Sequence, residues 1–364
     1  MLAQGARSVR PVAVRELGAS YTHAQMAIGT GAFLYLTAAE VEQAMPDVAA
    51  RIQLAKRAMT SLVADAELPP KIGVHPRPDQ SFAHAMPAFV RGAAADGGAD
   101  LLGMKWVTGF PGNRTAGLPA LAATILLSDP QTGLPRALLD GGPITAHRTA
   151  AVSGAAIETW KPGGTPGSLR VTLVGAGVQA RSHLSVLGHL LEGSSLVISD
   201  RHADRAEALA QEAVAMGCFS GASVVTDPVQ AITGAHVVVT VVSFGPDRQA
   251  IPAAAFAEAR LIVAVDYDMC VPATVAASAQ QFVVDERGQF LANRATGIFA
   301  GYPEPASTIG EALRNGGETP SPARRNGTGP VLVTHLGVGV ADLVFADAVL
   351  ERAASLGLGT PLAT

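Results

Sequence analysis

Leu169-Arg-Val-Thr-Leu-Val-Gly175-Ala-Gly177-Val-Gln-Ala180-Arg181 carries a short apolar strand through a Gly-x-Gly-x-x-Ala turn and on into a helical pattern. Gly175 allows the tight turn, Gly177 lets backbone approach a phosphate with no side chain in the way, and Ala180 lets helix and strand pack closely. The helix that follows offers unpaired N–H groups and the positive end of its dipole to an anion. A second apolar run, Leu196-Val-Ile-Ser199, stops at Asp200, about 20 residues beyond the turn, where a carboxylate at a strand end holds a ribose 2′-hydroxyl. Strand, turn, helix and acid in this order predict a dinucleotide site.

The rest of the chain is organised around that turn. Upstream, Thr37-x-x-Glu40 is a capping box, and the helical pattern behind it is broken near Pro46. From Lys71 to Asp140 short apolar runs alternate with Gly, Pro and Asp, including Ala122–Ser128 and Ala137–Leu139 joined by Asp129-Pro-Gln-Thr-Gly133, and predict antiparallel hairpins. A helix is expected from a cap at Thr145 to about Thr159, followed by the linker Lys161–Gly167. Downstream, apolar strand runs at 169–174, 196–199, 223–225, 235–242, 260–265 and 281–284 alternate with helical segments at 178–191 and 203–215. That alternation predicts an α/β fold with a parallel, doubly wound sheet. Asn315–Pro330 reads as a loop, and Val331–Gly337 with a helix from Asp342 to Leu356 closes the chain. The expected division is a nucleotide domain over 161–330 and an α+β substrate-binding and dimerisation domain over 1–160 with 331–364.

Composition sets bounds on function. The chain has 364 residues, enough for two domains, with 48% apolar residues, 15% charged residues and a formal charge of −4. This balance gives no basic surface for nucleic acid, and the one dense basic spot, Arg324-Arg325, lies in the loop. Two cysteines, Cys218 and Cys270, make neither a disulfide framework nor a metal site, so no metal is expected and reduced thiols in the cytoplasm are. No signal-peptide pattern and no apolar span of membrane length occur, so no membrane partner is expected.

Outside the nucleotide segment, Arg77, Lys105 and Arg148 stand in apolar or glycine-rich settings. Arg grips a carboxylate with two parallel hydrogen bonds, and Lys supplies a point charge or a base. Strand alternation puts Lys105 on one face with Gly103 and Val107. Arg148 falls in the first turn of the helix expected from Thr145, a position that suits a cation when an anion is bound nearby. At the far side of the nucleotide segment the run Leu261–Val265 delivers Asp266 and Asp268 to a strand's carboxyl end, where open α/β sheets bind ligands. His75, His84, His147 and His183 are individually ambiguous between structural and chemical roles.

Taken together, His75-Pro-Arg77, Met86-Pro87, Gly103-Met-Lys105-Trp-Val-Thr-Gly109-Phe-Pro-Gly-Asn113, Thr132-Gly-Leu-Pro135, Thr145-Ala-His-Arg148, the Gly175 turn and Leu336-Gly-Val-Gly-Val-Ala-Asp342 resemble the ornithine cyclodeaminase/μ-crystallin family. The resemblance runs from about Thr37 to Gly359. It implies a homodimeric, NAD-dependent oxidoreductase with a central Rossmann domain, NADP being the less favoured cofactor because Asp200 would face a 2′-phosphate. It implies that Arg77, Lys105 and Arg148 hold the carboxylate of an amino or imino acid, that Asp268 is the acid near the reacting nitrogen, and that hydride moves at the α-carbon. The cofactor set is Gly175, Gly177, Val178, Gln179, Asp200, Arg201 and Ser243. Lys105 and Asp268 are the catalytic pair.

Two alternatives remain. One is an ornithine cyclodeaminase producing proline and ammonia, and the other is a non-catalytic NAD(P)-dependent binding protein. His84 stands where ornithine-using members tend to place a Glu, and Met269-Cys-Val-Pro-Ala-Thr274 replaces the usual continuation after Asp268. His84 is therefore expected at the substrate, and the substrate is expected to differ from ornithine.

Overall fold

The computed structural model describes residues 32–78, 81–92, 98–164, 167–245, 247–317 and 329–363. The Arg324-Arg325 pair and most of the expected loop around it lie outside the described residues.

The chain enters through β1 (Ala32–Leu36) and α1 (Ala38–Gln43), whose capping box pairs Thr37 with Glu40 as expected. After Pro46 a second cap, Asp47, starts α2 (Val48–Ser61), so the interruption separates two helices. The hairpin region forms β2 (Ala66–Glu67), β3 (Ile72–Val74), β4 (Phe82–Val90), β5 (Leu101–Gly109), β6 (Leu121–Ser128) and β7 (Pro135–Asp140). With β16 (Thr360–Ala363) from the end of the chain these strands make one sheet, ordered β16-β1-β7-β6-β5-β4-β2 with β3 also on β4.

α3 spans Gly141–Trp160 and starts earlier than the sequence suggests. Its cap is Asp140, which accepts from the Gly142 N–H at 2.8 Å, and Pro143 lies within the first turn. Thr145 is an interior residue, so Arg148 sits in the second turn and its side chain is placed by packing. α3 is buried along most of its length.

The second sheet contains β8 (Arg170–Val174), β9 (Ser195–Ser199), β10 (Gly221–Val224), β11 (Val237–Thr240), β12 (Leu261–Ala264), β13 (Gln281–Val284), β14 (Ser307–Thr308) and β15 (Val331–Thr334). Around it lie α4 (Val178–Leu190), α5 (Ala203–Ala215), α6 (Pro228–Ile232), α7 (Ala273–Ser278), α8 (Arg287–Ala295) and α9 (Ile309–Arg314). Every pairing is parallel, in the order β10-β9-β8-β11-β12-β15-β13-β14. Runs such as Val237-Val-Val-Thr240 are buried throughout, as central strands covered on both faces require. The order reverses between β8 and β11, which opens a crevice at their carboxyl ends.

One boundary differs from expectation. β15 lies between β12 and β13, inside the nucleotide sheet, so the chain leaves that sheet only after Thr334. Its return to the first layer is α10 (Gly339–Leu356), followed by β16 antiparallel to β1. α10 is buried nearly all round because it lies against β4, β5 and β6 on one side and α2 and α3 on the other.

Candidate active site

The glycine turn has the geometry its residues predict. Gly175 adopts φ 114°, and a Cβ there would approach the Val241 carbonyl oxygen to 3.0 Å, so neither the backbone nor the neighbour admits a side chain. Its N–H donates to the Ser199 carbonyl at 2.7 Å, closing the turn onto β9. Gly177 caps α4 with no side-chain cap, and a Cβ at Gly177 would meet nothing within 4 Å. Val178, the first helical residue, is 72% exposed. Uncapped N–H groups facing open space fit a pyrophosphate.

Around this turn, Gln179 donates from Nε2 to the Thr145 carbonyl at 3.5 Å, tying α4 to α3. Asp200 directly follows β9, and its two oxygens accept from the Ala176 N–H at 2.7 Å and the His202 N–H at 2.8 Å. Those bonds hold the carboxylate at the rim of the turn. Arg201 is exposed and donates to His202. Ser243, in the loop after β11, accepts from Arg114 at 3.5 Å, a contact joining the nucleotide sheet to the first layer.

The other half of the site is buried. Lys105 projects from β5 on the face it shares with Gly103, and its Nζ lies 2.7 Å from Asp342. The same carboxylate accepts from Arg148 Nε at 3.0 Å. Lys105 is 2% exposed and Asp342 is fully buried. Burial pushes the Lys105 ammonium down to about 7, with Arg148 and Lys71 adding to that push and Asp342 opposing it. One carboxylate facing two buried cations leaves positive charge for a ligand to neutralise. Gly337 makes the arrangement possible, since φ is 79° and a Cβ would come within 2.5 Å of the Arg148 guanidinium.

A third cation enters from an unanticipated position. Lys71, just before β3, donates from Nζ to the Leu336 carbonyl at 3.0 Å, beside Gly337. Asp285, at the end of β13, accepts from the N–H groups of Leu336 at 2.8 Å and Gly337 at 2.7 Å and so fixes the backbone on which Lys71 and Arg148 rest. Burial raises the Asp285 pKa while Lys71 and the backbone donors lower it. Arg77, by contrast, is exposed and keeps to its own loop. Its N–H donates to Ser81 Oγ at 2.7 Å and its guanidinium to the Pro76 carbonyl at 3.2 Å. The structure thus brings Lys105 and Arg148 together and adds Lys71, while Arg77 stays outside the cluster.

His84 lies on β4, opposite Val107 and two positions from Met86, the partner of Lys105. Its ring stacks on Phe82 at 4.6 Å and covers Gly73. Burial, Lys71 and His75, in that order, depress its pKa.

Across the crevice, beyond β12, Asp266 and Asp268 separate because Tyr267 between them adopts φ 61°. Asp268 is buried, forms an ion pair with Arg248 and accepts from the Phe299 N–H at 2.9 Å. Asp266 accepts from Thr240 Oγ1 at 2.9 Å, and burial pushes its carboxyl up to about 6. The neighbouring Cys270 thiol is buried and pushed strongly upward, which makes it an inert group at neutral pH. His147 lies against Glu42 at 2.8 Å, away from this cluster, and His183 bonds Ser153 at 2.8 Å in the core. His335, beside the Leu336 backbone, contacts the same serine at 2.9 Å.

A sequence pattern had no means of assigning Lys71, Asp342, Asp285 or Arg248. The available signals were faint: a lysine after two prolines entering a strand, and a carboxylate in the first turn of an otherwise apolar helix.

A glycine turn open to a pyrophosphate and a buried cation cluster, tied by Leu336 and Gly337 to the carboxyl end of β15, belong to one doubly wound architecture. The chain belongs to the Ornithine cyclodeaminase/mu-crystallin family, whose pattern it matches over residues 32–258. It is 30% identical over 300 residues to the nodulation efficiency protein NfeD of Rhizobium meliloti, a match covering 81% of this chain and 87% of that one. It is 37% identical over 163 residues to the ketimine reductase mu-crystallin of Mus musculus, covering 44% and 47%. Its fold is that of an archaeal alanine dehydrogenase dimer with bound NAD, at TM-score 0.75 and 24% identity over 91% of this chain and 99% of the other.

Proposed function

We propose that this protein is an NAD-dependent oxidoreductase that transfers hydride at the α-carbon of an amino or imino acid, working as an imine reductase or amino-acid dehydrogenase. The observation that carries the reading is the Lys105–Asp342–Arg148 cluster, joined by Lys71, beside the carboxyl edge of the same sheet whose Gly175 turn fits a pyrophosphate. Ketimine reduction by the mouse relative and NAD in the alanine dehydrogenase support it.

The N–H groups at the start of α4 would hold the pyrophosphate, and Asp200 would take a ribose hydroxyl. When bound, NAD would supply hydride chemistry there, reducing a C=N bond in its reduced form or oxidising an amine in its oxidised form. Lys105, Arg148 and Lys71 clamp the substrate carboxylate and thereby orient the α-carbon, an effect worth up to roughly 7–11 kcal/mol in favourable systems. Asp268, buried just beyond β12 and paired with Arg248, is the acid assigned to the cationic nitrogen of the iminium, whose charge it would stabilise. Asp285 keeps the Leu336–Gly337 backbone under the clamp.

The working form is a homodimer. β5 turns Lys105 and Gly103 toward α10, since a Cβ on Gly103 would strike Leu343. The opposite face of β4, β5 and β6 carries Phe89, Leu102, Pro87, Met104, Leu126 and Trp106, a contiguous apolar surface that no helix or strand among the described residues covers. The cytoplasm fits two free cysteines, and among the described residues no helix is long and apolar enough to cross a membrane.

The test is NADH oxidation with a panel of preformed cyclic imines and of 2-oxo acids supplied with ammonia, alongside Lys105→Met as a control. Imine-dependent NADH loss that vanishes in the variant supports the assignment. NADH binding without turnover on any imine or amino acid, in either direction, rejects it in favour of a binding protein, and ornithine loss with no net NADH change favours cyclodeamination.

A further inference from the structure

We infer that Arg248 is a specificity-determining residue: it competes with the positively charged nitrogen of the ligand for Asp268 and yields that carboxylate when such a nitrogen arrives. This rests on the assignment of Asp268 to the substrate nitrogen and goes beyond it in naming the group that the nitrogen has to displace.

The surroundings of Asp268 carry the inference. Its side chain is 2% exposed, and both oxygens are taken, one by Arg248 Nη1 and the other by the Phe299 N–H at 2.9 Å. Among the described residues Arg248 is the only cation paired with this carboxylate, which without it would be a buried, uncompensated anion. The backbone around the pair is firmly held. Gln249, Tyr267 and Phe299, at φ 52°, 61° and 62°, are the non-glycine residues with positive φ among the described residues, and all three adjoin Asp268. Tyr267 precedes it in the chain, the Phe299 N–H reaches its side chain, and the Gln249 N–H donates to its carbonyl at 2.7 Å. The Gln249 side chain is pinned in turn, donating to the Ala300 carbonyl at 2.9 Å and accepting from the Ala273 N–H at 2.8 Å. Such backbone conformations persist where the surrounding structure over-determines them, and they cluster at ligand sites. Arg248 is thus anchored at its backbone through Gln249, and any change of partner falls to its side chain.

One carboxylate carries one unit of charge, so a second cation arriving at Asp268 would face the guanidinium at like charge. A ligand whose α-nitrogen is an ammonium or iminium therefore takes the place of Arg248, and a ligand with no such nitrogen leaves the pair intact. Arg248 has somewhere to go. Its guanidinium carbon already lies 4.5 Å from the centroid of the Phe244 ring, its side chain is 30% exposed and Phe244 is 48% exposed, so it can leave Asp268 for water while keeping its aromatic contact. Phe244 packs edge-on to Tyr267 at 4.7 Å, which sets that ring beside Asp268. When the ligand departs Arg248 returns, and the empty site holds no bare carboxylate. The competition weakens the hold on a charged amine without altering the cations that bind the carboxylate.

L-Alanine and propionate, which differ only in the α-ammonium, test the proposal when titrated into the protein–NADH complex, where neither reacts, with binding followed by nicotinamide fluorescence. Arg248→Met is expected to bind L-alanine about tenfold or more tighter than the parent, the scale of one hydrogen bond to a charged group, and to bind propionate no tighter. Arg248→Lys, which keeps a cation beside Asp268, is expected to behave as the parent. NADH affinity and thermal melting establish that each variant is folded. In the parent, the guanidinium nitrogen resonance of Arg248, assigned by its loss in Arg248→Lys, is expected to move with L-alanine and not with propionate, a readout that stands even if Arg248→Met does not fold. An Arg248→Met protein that binds L-alanine no tighter, or that loses both ligands alike as a purely structural role requires, overturns the inference, and so does an Arg248 resonance that L-alanine leaves unmoved. Asp268→Asn separates the two readings: L-alanine binding that survives it rejects the assignment of Asp268 to the nitrogen, whereas binding lost in Asp268→Asn with no gain in Arg248→Met rejects the competition alone. These are binding measurements, so a lack of turnover on every imine rejects the reaction and not the competition.

Discussion

Lys105 Nζ and the carboxylate of Asp342 lie 2.7 Å apart with both side chains buried, and Asp342 also binds Arg148. This carboxylate is what allows two cations to sit in the interior, because an uncompensated buried charge costs several kcal/mol. Asp342→Asn is expected to destabilise the protein by about 3–5 kcal/mol, measured by denaturant unfolding. Lys105→Met removes one of the two cations and retains the other pair. It is expected to fold, to bind NADH normally and to lose turnover, and normal turnover would refute the role of Lys105 in the clamp.

The same burial predicts a pH dependence. Lys105 is depressed to about 7, so its carboxylate-binding ammonium is present below that pH and is lost as the pH rises through it. In the free enzyme kcat/KM is expected to fall by about tenfold per unit above pH 7, while kcat, reporting the complex in which bound carboxylate favours the ammonium, falls at higher pH. Lys105→Arg, if active, should remove the alkaline limb. A flat profile across this range would show that Lys105 is not the titrating group.

Lys71 and Arg77 make opposite predictions despite their proximity in sequence. Lys71 touches the backbone beneath Arg148, and Arg77 makes contacts within its own exposed loop. Lys71→Met is expected to raise KM by about tenfold or more, and Arg77→Met by no more than about threefold, because an exposed charge contributes little. Steady-state kinetics on the same substrate decides between them, and a larger effect at Arg77 would transfer the third clamp position to it.

At the nucleotide turn, Gly177→Val has room in the protein itself, since no atom lies within 4 Å of its Cβ position. Normal melting with NADH affinity lowered by about tenfold or more is the expected result, from a side chain intruding where the pyrophosphate approaches. Asp200→Ala should weaken NAD more than NADP. Equal losses would mean that Asp200 acts only through its bonds to Ala176 and His202.

Asp266 offers a stability prediction. Its folded-state pKa is raised to about 6, so the folded protein binds more protons than the unfolded chain between about pH 4 and 6, and stability contributed by this residue falls as pH rises through that window. A shift of two units corresponds to about 3 kcal/mol, so Asp266→Asn should look more favourable, relative to the parent, at pH 8 than at pH 4 by up to about that amount. A pH-independent difference would show that Asp266 is not the group responsible.

By itself the sequence determined the features that depend on neighbours along the chain. The Gly175 turn, the Asp200 position, the capping box at Thr37 and the two-residue alternation that turns Lys105 inward with Gly103 all emerge from local sterics, local hydrogen bonds and the pleat of a strand. The alternation of strands and helices after Gly167 likewise implied the parallel sheet, because buried parallel strands read as unbroken apolar runs.

The tertiary structure decided everything that depends on which distant segments meet. Arg148 meets Asp342 across 194 positions, and Lys71 meets Leu336 across 265. No periodicity encodes such pairings, since an isolated Lys or Asp in an apolar run reads the same whether its partner is water or a buried ion. Asp140 displaced Thr145 as the cap of α3 because Pro143 is tolerated in a first turn, and β15 entered the nucleotide sheet because a four-residue apolar strand carries no mark of its neighbours. That Lys71 and not Arg77 joins the cation cluster has the same origin: charge type was legible in the sequence, and position in space was set by the loop after β15, whose Leu336 carbonyl takes the Lys71 ammonium.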